Sequence, residues 1–337
     1  MHTDARLPAT LGLSCYTENL TLYLAARSPD SADLVARSVR LAVDPATGAF
    51  SHHGQALNNL PGNRNLRYSS APEQQSALAG ISAELTARGQ VLAVANSGSL
   101  PWLNGAADES APHLLVIDGR EHGTWHVTDA FTALFSNGGS QDPFAGTVSD
   151  QELADLLHFP HGLSPVHRTR NTLAFGFPVS PPPHEAYQWL VEEEGTTAEE
   201  LPSGPWLTGA PALQETARLL VADLSAPNSR GVLEDIWAAA QHHLFRHVRL
   251  LASAGAELSP TDRQTVAATM TKWREIPRML RFAANSARRG RPRTSLITST
   301  FTTLADLETS LSALHTAHGY GVHSTRPVEL THAQQGG

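Results

Sequence analysis

Cysteine is nearly absent from this chain of 337 residues, which contains a single one, Cys15. One cysteine cannot form an internal disulfide, a pattern typical of proteins in a reducing compartment. No apolar run in the sequence approaches the roughly 18 residues that a membrane-spanning helix needs. The first residues also lack the charged and apolar regions of a signal peptide. We therefore predict a cytoplasmic protein with no membrane partner.

Positive charge is also scarce. Lys272 is the only lysine, and 24 basic against 32 acidic residues leave a net charge of −8. Such a chain is not expected to bind nucleic acid. The one basic run, RRGRPR at 288–293, contains glycine and proline and is interpreted as a helix end followed by a solvated loop. No phosphate-binding glycine motif is present, and we predict no nucleotide, metal or other cofactor.

The first half of the chain alternates between helical and strand patterns. Helices are predicted after Ser14 and over about 73–87, the second ending at Gly89. Segments with strand-like composition lie at 90–96, 113–118, 124–129 and 172–179. A domain that mixes helices and strands is therefore expected.

The second half is predicted to be helical. A proline-rich stretch at 178–187 and an acidic stretch at 191–204 suggest a boundary between two domains, which we place as 1–185 and 186–337. Beyond it, helical patterns cover 210–224, 232–253, 259–287 and 301–318. Ser259 at the third of these is a strong N-cap because proline follows it.

Cys15 is placed where the first helix begins. A helix N-terminus stabilises negative charge, and a neighbouring histidine does the same for a thiolate. Both devices turn a cysteine into a nucleophile, whereas a lone buried cysteine without them is a packing residue. The sequence therefore has to supply a histidine near Cys15 if the thiol is to react.

A histidine and a carboxylate are brought together by a predicted hairpin. The strands at 113–118 and 124–129 are separated by 119–123, and pairing Asp118 with Thr124 would place His113 opposite Asp129. A carboxylate beside a histidine orients the ring and stabilises its charged form. A register shift of one residue would separate the pair. Asp118 remains an alternative partner, and Asp129 could instead cap the following turn.

These residues resemble a known family. Cys15 at a helix start, NSGSLPW at 96–102 and PHLLVIDGREHGTWHVTDAF at 112–131 are similar to the N-terminal domain of the butirosin-biosynthesis H acyltransferase family. That domain is related to C39 peptidases and to papain-like folds. TMTKWREI at 269–276 resembles part of the helical domain that often follows. The resemblance covers most of the chain, most strongly over 10–135.

The resemblance implies an α+β fold. The expected architecture is a papain-like, C39-peptidase-like domain with an antiparallel sheet, followed by a mostly α-helical domain that covers the active site. Cys15 would be the nucleophile, His113 its base and Asp129 the group that orients His113. We therefore expect a cleft between the two halves that contains these three residues.

The oxyanion donors are not identified by the resemblance. The glutamine that C39 peptidases place upstream of the cysteine has no match, since Ala9 and Thr10 occupy this region. Backbone N–H groups at the helix start, Asn19 or Asn96 are candidates. The family usually has an acid where Asn96 stands, and a turn role for this residue is equally consistent. Trp102 either packs in a core or forms one wall of an acyl pocket.

Other histidines give weaker signals. SHHG at 51–54 is predicted to be an exposed loop rather than part of a site. His243 and His247 have the i,i+4 spacing of metal ligands, but no further ligand motif accompanies them. We interpret them as a solvated face or a helix contact.

The leading functional hypothesis is a thiol-dependent acyltransferase. It would take an acyl group from an acyl carrier protein or another acyl thioester and pass it to a small-molecule acceptor in natural-product biosynthesis. A thioesterase or peptidase would use the same three residues with water as the acceptor. A catalytically inert binding protein, in which Cys15 is unreactive, is the third class.

Overall fold

The chain is an α+β protein whose paired strands are antiparallel, as the sequence predicts. The computed structural model describes residues 9–104, 110–134, 139–160, 162–202, 204–224 and 231–321. The outermost residues of both predicted domains, 1–8 and 322–337, lie outside this described part.

Every helix predicted from the sequence is present in the described residues, together with three that were not predicted. Within the described ranges they are α1 (Cys15–Ala25), α2 (Ser31–Ser38), α3 (Gln74–Arg88), α4 (Asp150–Leu157), α5 (Pro165–Thr172), α6 (Gly209–Asp223), α7 (Gly231–Ala254), α8 (Pro260–Arg288) and α9 (Thr294–Ala317). Gly89 ends α3 with a φ of 78°, a conformation that glycine adopts without a steric penalty. Ser259 caps α8 by accepting a hydrogen bond from the backbone N–H of Asp262. None of these helices combines the length and apolar character that crossing a membrane would require.

Most of the strands form one large sheet. The strands are β1 (Val39–Val43), β2 (Phe50–His53), β3 (Asn59–Leu60), β4 (Arg64–Ala71), β5 (Val91–Asn96), β6 (Leu103–Asn104), β7 (Pro112–Glu121), β8 (Thr124–Asp129), β9 (Ala133–Leu134), β10 (Ser140–Gln141), β11 (Phe144–Ser149), β12 (Tyr187–Glu194) and β13 (Leu207–Thr208). Seven of them follow the order β11-β8-β7-β5-β12-β4-β3. Two small sheets have the orders β13-β1-β2 and β6-β10-β9.

The main sheet crosses the predicted domain boundary. β12 begins at Tyr187, two residues beyond the expected end of the first domain, and lies between β5 and β4. Its acidic residue Glu192 is buried, and Arg27, which follows α1, and Arg64 of β4 each hold its carboxylate at 2.8 Å. A boundary between 185 and 186 would therefore cut the main sheet rather than separate it from the helical half. The two arginines offset the cost of burying a carboxylate in this sheet.

The β7–β8 hairpin has a different register from the predicted one. The observed turn has two residues, His122 and Gly123, both with positive φ, and Glu121 pairs with Thr124. A bulge between Ile117 and Gly119 then shifts the pairing by one residue. Beyond the bulge the register differs from the prediction by two residues. Because side chains alternate with a period of two, this error keeps each residue on its predicted face.

The strand predicted at 172–179 is wrong. Residue 172 ends α5, and the following residues form a turn in which the φ of Gly176 is 91°. A Cβ at Gly176 would come within 2.6 Å of the Cβ of His53, so this turn packs directly against β2. The alternation of Phe175 and Phe177 with small residues resembles a strand, but both rings are buried from a turn.

The helical half shares its cores with the first half. One face of the main sheet is covered by α1, and this core extends to Phe245 and Leu250 of α7. The other face is covered by α3 and α4. Val43 and Phe50, from β1 and β2, pack in a further core with helices α6 to α9. The region where β2, α1 and α7 converge is where the candidate site lies.

Candidate active site

Cys15 is the first residue of α1, and its neighbours fix the start of this helix. The first bond along the helix runs from the N–H of Glu18 to the carbonyl of Ser14, at 2.7 Å. The Glu18 carboxylate reaches back to accept hydrogen bonds from the N–H groups of Leu11 and Leu13, at 2.6 Å for Leu13. Cys15 is half-buried. The unpaired N–H groups of the first turn therefore lie beside the thiol, where they favour negative charge.

Asp129, at the end of β8, is fully buried and accepts five hydrogen bonds. The donors are His113 Nε2 (2.8 Å), Trp102 Nε1 (2.8 Å), Gln141 Nε2 (2.6 Å), Asn19 Nδ2 (2.8 Å) and the backbone N–H of Phe131 (3.0 Å). Burial raises the pKa of Asp129, but the positive charge of His113 and the hydrogen bonds outweigh it and lower that pKa overall. The carboxylate is therefore held ionised.

His113 lies between this carboxylate and the thiol. An ionised carboxylate only accepts hydrogen bonds, so Nε2 of His113 must be the donor to Asp129. The other ring nitrogen is left for Cys15. Burial lowers the pKa of His113, but the charges of Asp129 and Cys15 and the hydrogen bonds to both raise it to about 10. The arrangement favours the charged imidazolium form of His113, which lines the cavity beside Cys15.

The raised pKa of His113 gives a direct prediction. Since the folded protein favours the charged ring, His113 should be largely protonated at pH 8, where a free imidazole is neutral. The titration of its ring protons, followed by NMR and assigned with His113→Gln, measures this. In Cys15→Ala the pKa of His113 should fall, because one negative partner is lost. His53 is the internal control, since burial lowers its pKa well below 6.5. A wild-type midpoint for His113 near 6.5 would contradict the prediction.

A cavity of about 1170 Å³ opens beside the thiol. The first turn of α1, including Cys15, and His113 line one side. Trp237 and His242 of α7 and Leu280 of α8 line the other. The structure thus places Cys15 and His113 in a cavity between the two halves of the chain, with the carboxylate partner of His113 behind the ring.

Similarity to known proteins adds nothing to this picture. No protein-family model matches the chain, and no curated protein matches it. The resemblance over 10–135 therefore rests on its quoted motifs, and the case for a function rests on the geometry of the site.

Asn19 and Trp102 are used to hold Asp129. The Asn19 amide donates to the carbonyl of Leu114 at 2.7 Å as well as to Asp129 at 2.8 Å. Trp102 stacks on Phe144 with ring centroids 4.0 Å apart while its Nε1–H reaches Asp129. Neither residue lines the cavity. Their positions support a role in fixing the carboxylate rather than in binding an oxyanion or an acyl chain.

Asn96 has a local role. Its side chain accepts a hydrogen bond from the N–H of Gly98 at 3.0 Å and donates to the carbonyl of His158 at 3.1 Å. It therefore caps the short 3₁₀ turn after β5 and does not line the cavity. Of the oxyanion donors that the sequence suggests, the N–H groups of the first turn of α1, at Cys15 and Tyr16, remain beside the thiol.

Three histidines near Cys15 were not recognised from the sequence. His52 and His53 belong to β2, and their rings pack against that of His242, with centroids 5.4 and 5.0 Å away. Nε2 of His242 lies 3.2 Å from the N–H of Ser14, and Nε2 of His53 lies 3.2 Å from Oγ1 of Thr17. The prediction of an exposed loop is wrong, since His53 is fully buried in a strand. Burial lowers the pKa of His53 and of His242 well below 6.5, so both rings are neutral supports for the start of α1.

One group in the described residues has the ligand spacing of a metal site: His243, His247 and Glu308, whose ligand atoms lie within 4.8 Å of one another. Arg246 already binds Glu308 at 2.5 Å, and Trp273 donates to the same carboxylate at 2.6 Å. Because the guanidinium balances the buried negative charge, the cluster is best described as a polar network that joins α7 to α9. The prediction of a helix contact fits, whereas a solvated face does not.

Proposed function

We propose that this protein is a cysteine-dependent acyltransferase. The observation that carries the proposal is the position of His113, which is hydrogen-bonded to a buried carboxylate and lines the same cavity as the thiol of Cys15. A packing role for Cys15 would not require a histidine held by a buried carboxylate at the same cavity. The three residues serve as nucleophile, base and orienting group.

The reaction follows from these roles. The Cys15 thiolate attacks the carbonyl carbon of a thioester, and N–H groups of the first turn of α1 stabilise the oxyanion. The donor sulfur then leaves and takes a proton from the His113 imidazolium, which gives an acyl-enzyme. An amine or hydroxyl acceptor loses its proton to neutral His113 as it attacks this acyl group. The Cys15 thiolate is released, and Asp129 stabilises the recharged imidazolium.

Transfer is favoured over hydrolysis by the way the cavity is covered. A transferase has to keep water from the acyl-enzyme while it holds an acceptor near the carbonyl. Trp237 of α7 packs edge-on against Phe131, and Phe131 packs edge-on against His113, with centroids 6.1 and 5.7 Å apart. The helical half thus contributes an apolar wall at the catalytic base, which supports transfer.

The proposal includes the family relation that the motifs imply. We propose that the chain up to β12 is a papain-like domain, since a nucleophile at a helix start facing a histidine on an antiparallel sheet fits that architecture. The donor would be an acyl carrier protein or another acyl thioester, and the acceptor a small molecule. A reactive single thiol is best preserved in the reducing cytoplasm, where we place the reaction.

The test is to offer a panel of acyl thioesters with and without candidate amines and alcohols. Intact-mass measurement should show one acyl group per chain on wild type and none on Cys15→Ala, a clean comparison because Cys15 is the only cysteine. The adduct should persist in water and disappear when the right acceptor is added. Rapid hydrolysis that no acceptor changes would identify a thioesterase instead. If no thioester in the panel gives an adduct, both the acyltransferase and the thioesterase are contradicted.

A further inference from the structure

Four arginines form one line along α8. Arg274, Arg278, Arg281 and Arg288, which we call the arginine stripe, are spaced at i, i+4, i+7 and i+14. This spacing puts them on a single helix face that is about 21 Å long at 1.5 Å per residue. All four are exposed.

The arginine stripe has no carboxylate partners among the described residues. None of its four guanidiniums forms an ion pair with a carboxylate in the part of the chain that the structure describes. Arg288 bonds only to the side-chain oxygen of Asn285. By contrast, Arg170, which also lines the cavity, is neutralised by Asp235 and Glu234.

The stripe is a local exception in an acidic protein. Eight of the 24 basic residues lie in the 22 residues from 272 to 293, which contain one acidic residue, Glu275. Arginines at this spacing repel one another, so their concentration on one exposed face lowers stability unless an anionic partner offsets it. Charge concentrated in this way indicates a binding surface for an anion.

The stripe leads to the catalytic cavity. Arg281 and Arg288 line the same cavity as Cys15, and Pro277, one residue before Arg278, lines it too. Arg274 and Arg278 continue the line beyond the cavity wall. Phe282 is half exposed next to Arg281, an apolar anchor of the kind that interfaces place among charges.

We propose that the arginine stripe docks an acidic carrier protein that presents the acyl thioester on a phosphorylated arm. This inference rests on the proposed function. Arg274 and Arg278 would contact carboxylates of the carrier, while Arg281 and Arg288 would guide the phosphate of the arm into the cavity, because guanidinium binds both groups with paired hydrogen bonds. A nucleic acid fits less well, since the stripe leads to the thiol, where a nucleic acid has no acyl group to offer.

The test compares donors of one acyl group. Arg274→Glu/Arg278→Glu alters the part of the stripe outside the cavity, and Arg67→Glu/Arg218→Glu makes the same change in net charge at exposed arginines elsewhere. The donors are a butanoyl thioester on an acidic acyl carrier protein and the same thioester on N-acetylcysteamine. The stripe variant should raise KM for the carrier-bound donor by about tenfold or more, since rim charges govern association. Its kcat/KM with the small thioester should stay within about twofold of wild type, as for an interface that only docks the carrier.

Direct binding separates this inference from the proposed function. Fluorescence anisotropy of the labelled carrier should show that it binds wild type and the control variant, and that added salt weakens this binding. Its binding to the stripe variant should be about tenfold weaker. That result supports the docking surface even when no acyl group is transferred. Equal binding by both variants, no binding by wild type, or tighter binding of duplex DNA than of the carrier would overturn it.

Discussion

Replacement of Cys15 by alanine should lower kcat by about 10⁴-fold or more, because it removes the atom to which the acyl group is transferred. His113→Ala should be nearly as damaging, since the thiolate loses its positive partner and the acceptor loses its base. Residues that act as a unit are not additive, so the double variant should be little slower than Cys15→Ala alone.

The measurement is initial-rate kinetics with an acyl thioester and acceptor found in the mass experiment. Thermal unfolding of each variant is the control, because a half-buried thiol contributes little packing and Cys15→Ala should leave the fold intact. Turnover by Cys15→Ala at even a tenth of the wild-type rate would refute the covalent mechanism.

Replacement of Asp129 by alanine should lower the free energy of unfolding by about 3–5 kcal/mol, the usual effect of breaking a buried ion pair. Five donors converge on this carboxylate, and each would lose a buried acceptor. Asp129→Asn should be less damaging to stability, because one oxygen would still accept, but the NH₂ group that replaces the other oxygen would face donors.

Urea unfolding at pH 7 measures this loss of unfolding free energy, provided that the m-value is the same for wild type and variant. The matched control is Asp118→Ala, which removes another carboxylate of the same hairpin. Asp118 is exposed at the bulge and has no such set of donors, so its loss should change stability by less than about 1 kcal/mol. Equal losses of stability in the two variants would mean that the hydrogen bonds to Asp129 do not stabilise the fold.

The His113–Asp129 pair shows how a contact between two side chains can be predicted from a register that is two residues in error. The turn at His122 and Gly123 and the bulge at Asp118 together shifted the pairing by two residues relative to the prediction. An even shift keeps both side chains on one face of the sheet. The His113 side chain is long enough to reach Asp129 from a diagonal rather than a directly opposed position. The bulge itself has no clear signature, because it depends on packing around the hairpin rather than on the residues that form it.

Residues that reach the site from distant parts of the chain could not be predicted from the sequence. Gln141, on a two-residue strand, and His242, more than 200 residues after Cys15, reach the site only through the tertiary fold. Local periodicity describes which face of a helix is buried, but it does not say which element covers that face. The i,i+4 pair His243 and His247 shows the same limit, since their shared partner Glu308 lies on another helix.

Part of the acidic run at 191–204 lies in the main sheet, and the reason is electrostatic. Consecutive glutamates usually mark solvated chain, yet Glu192 is buried in β12. The guanidiniums of Arg27 and Arg64 offset the cost of burying it, and neither arginine is near Glu192 in sequence. Charge compensation across a sheet cannot be recognised from one segment alone.

The central position of β12 has a consequence for how the chain folds during synthesis. β4 and β5 emerge from the ribosome long before residue 187, and each keeps an unpaired edge until β12 is inserted between them. Open edges of this kind invite association with other chains, and closing so long a loop is slow. Cys15 on α1 is therefore translated early, but the sheet against which α1 packs is completed only late. Release of residues 187–194 should be the step that closes both open edges of the sheet.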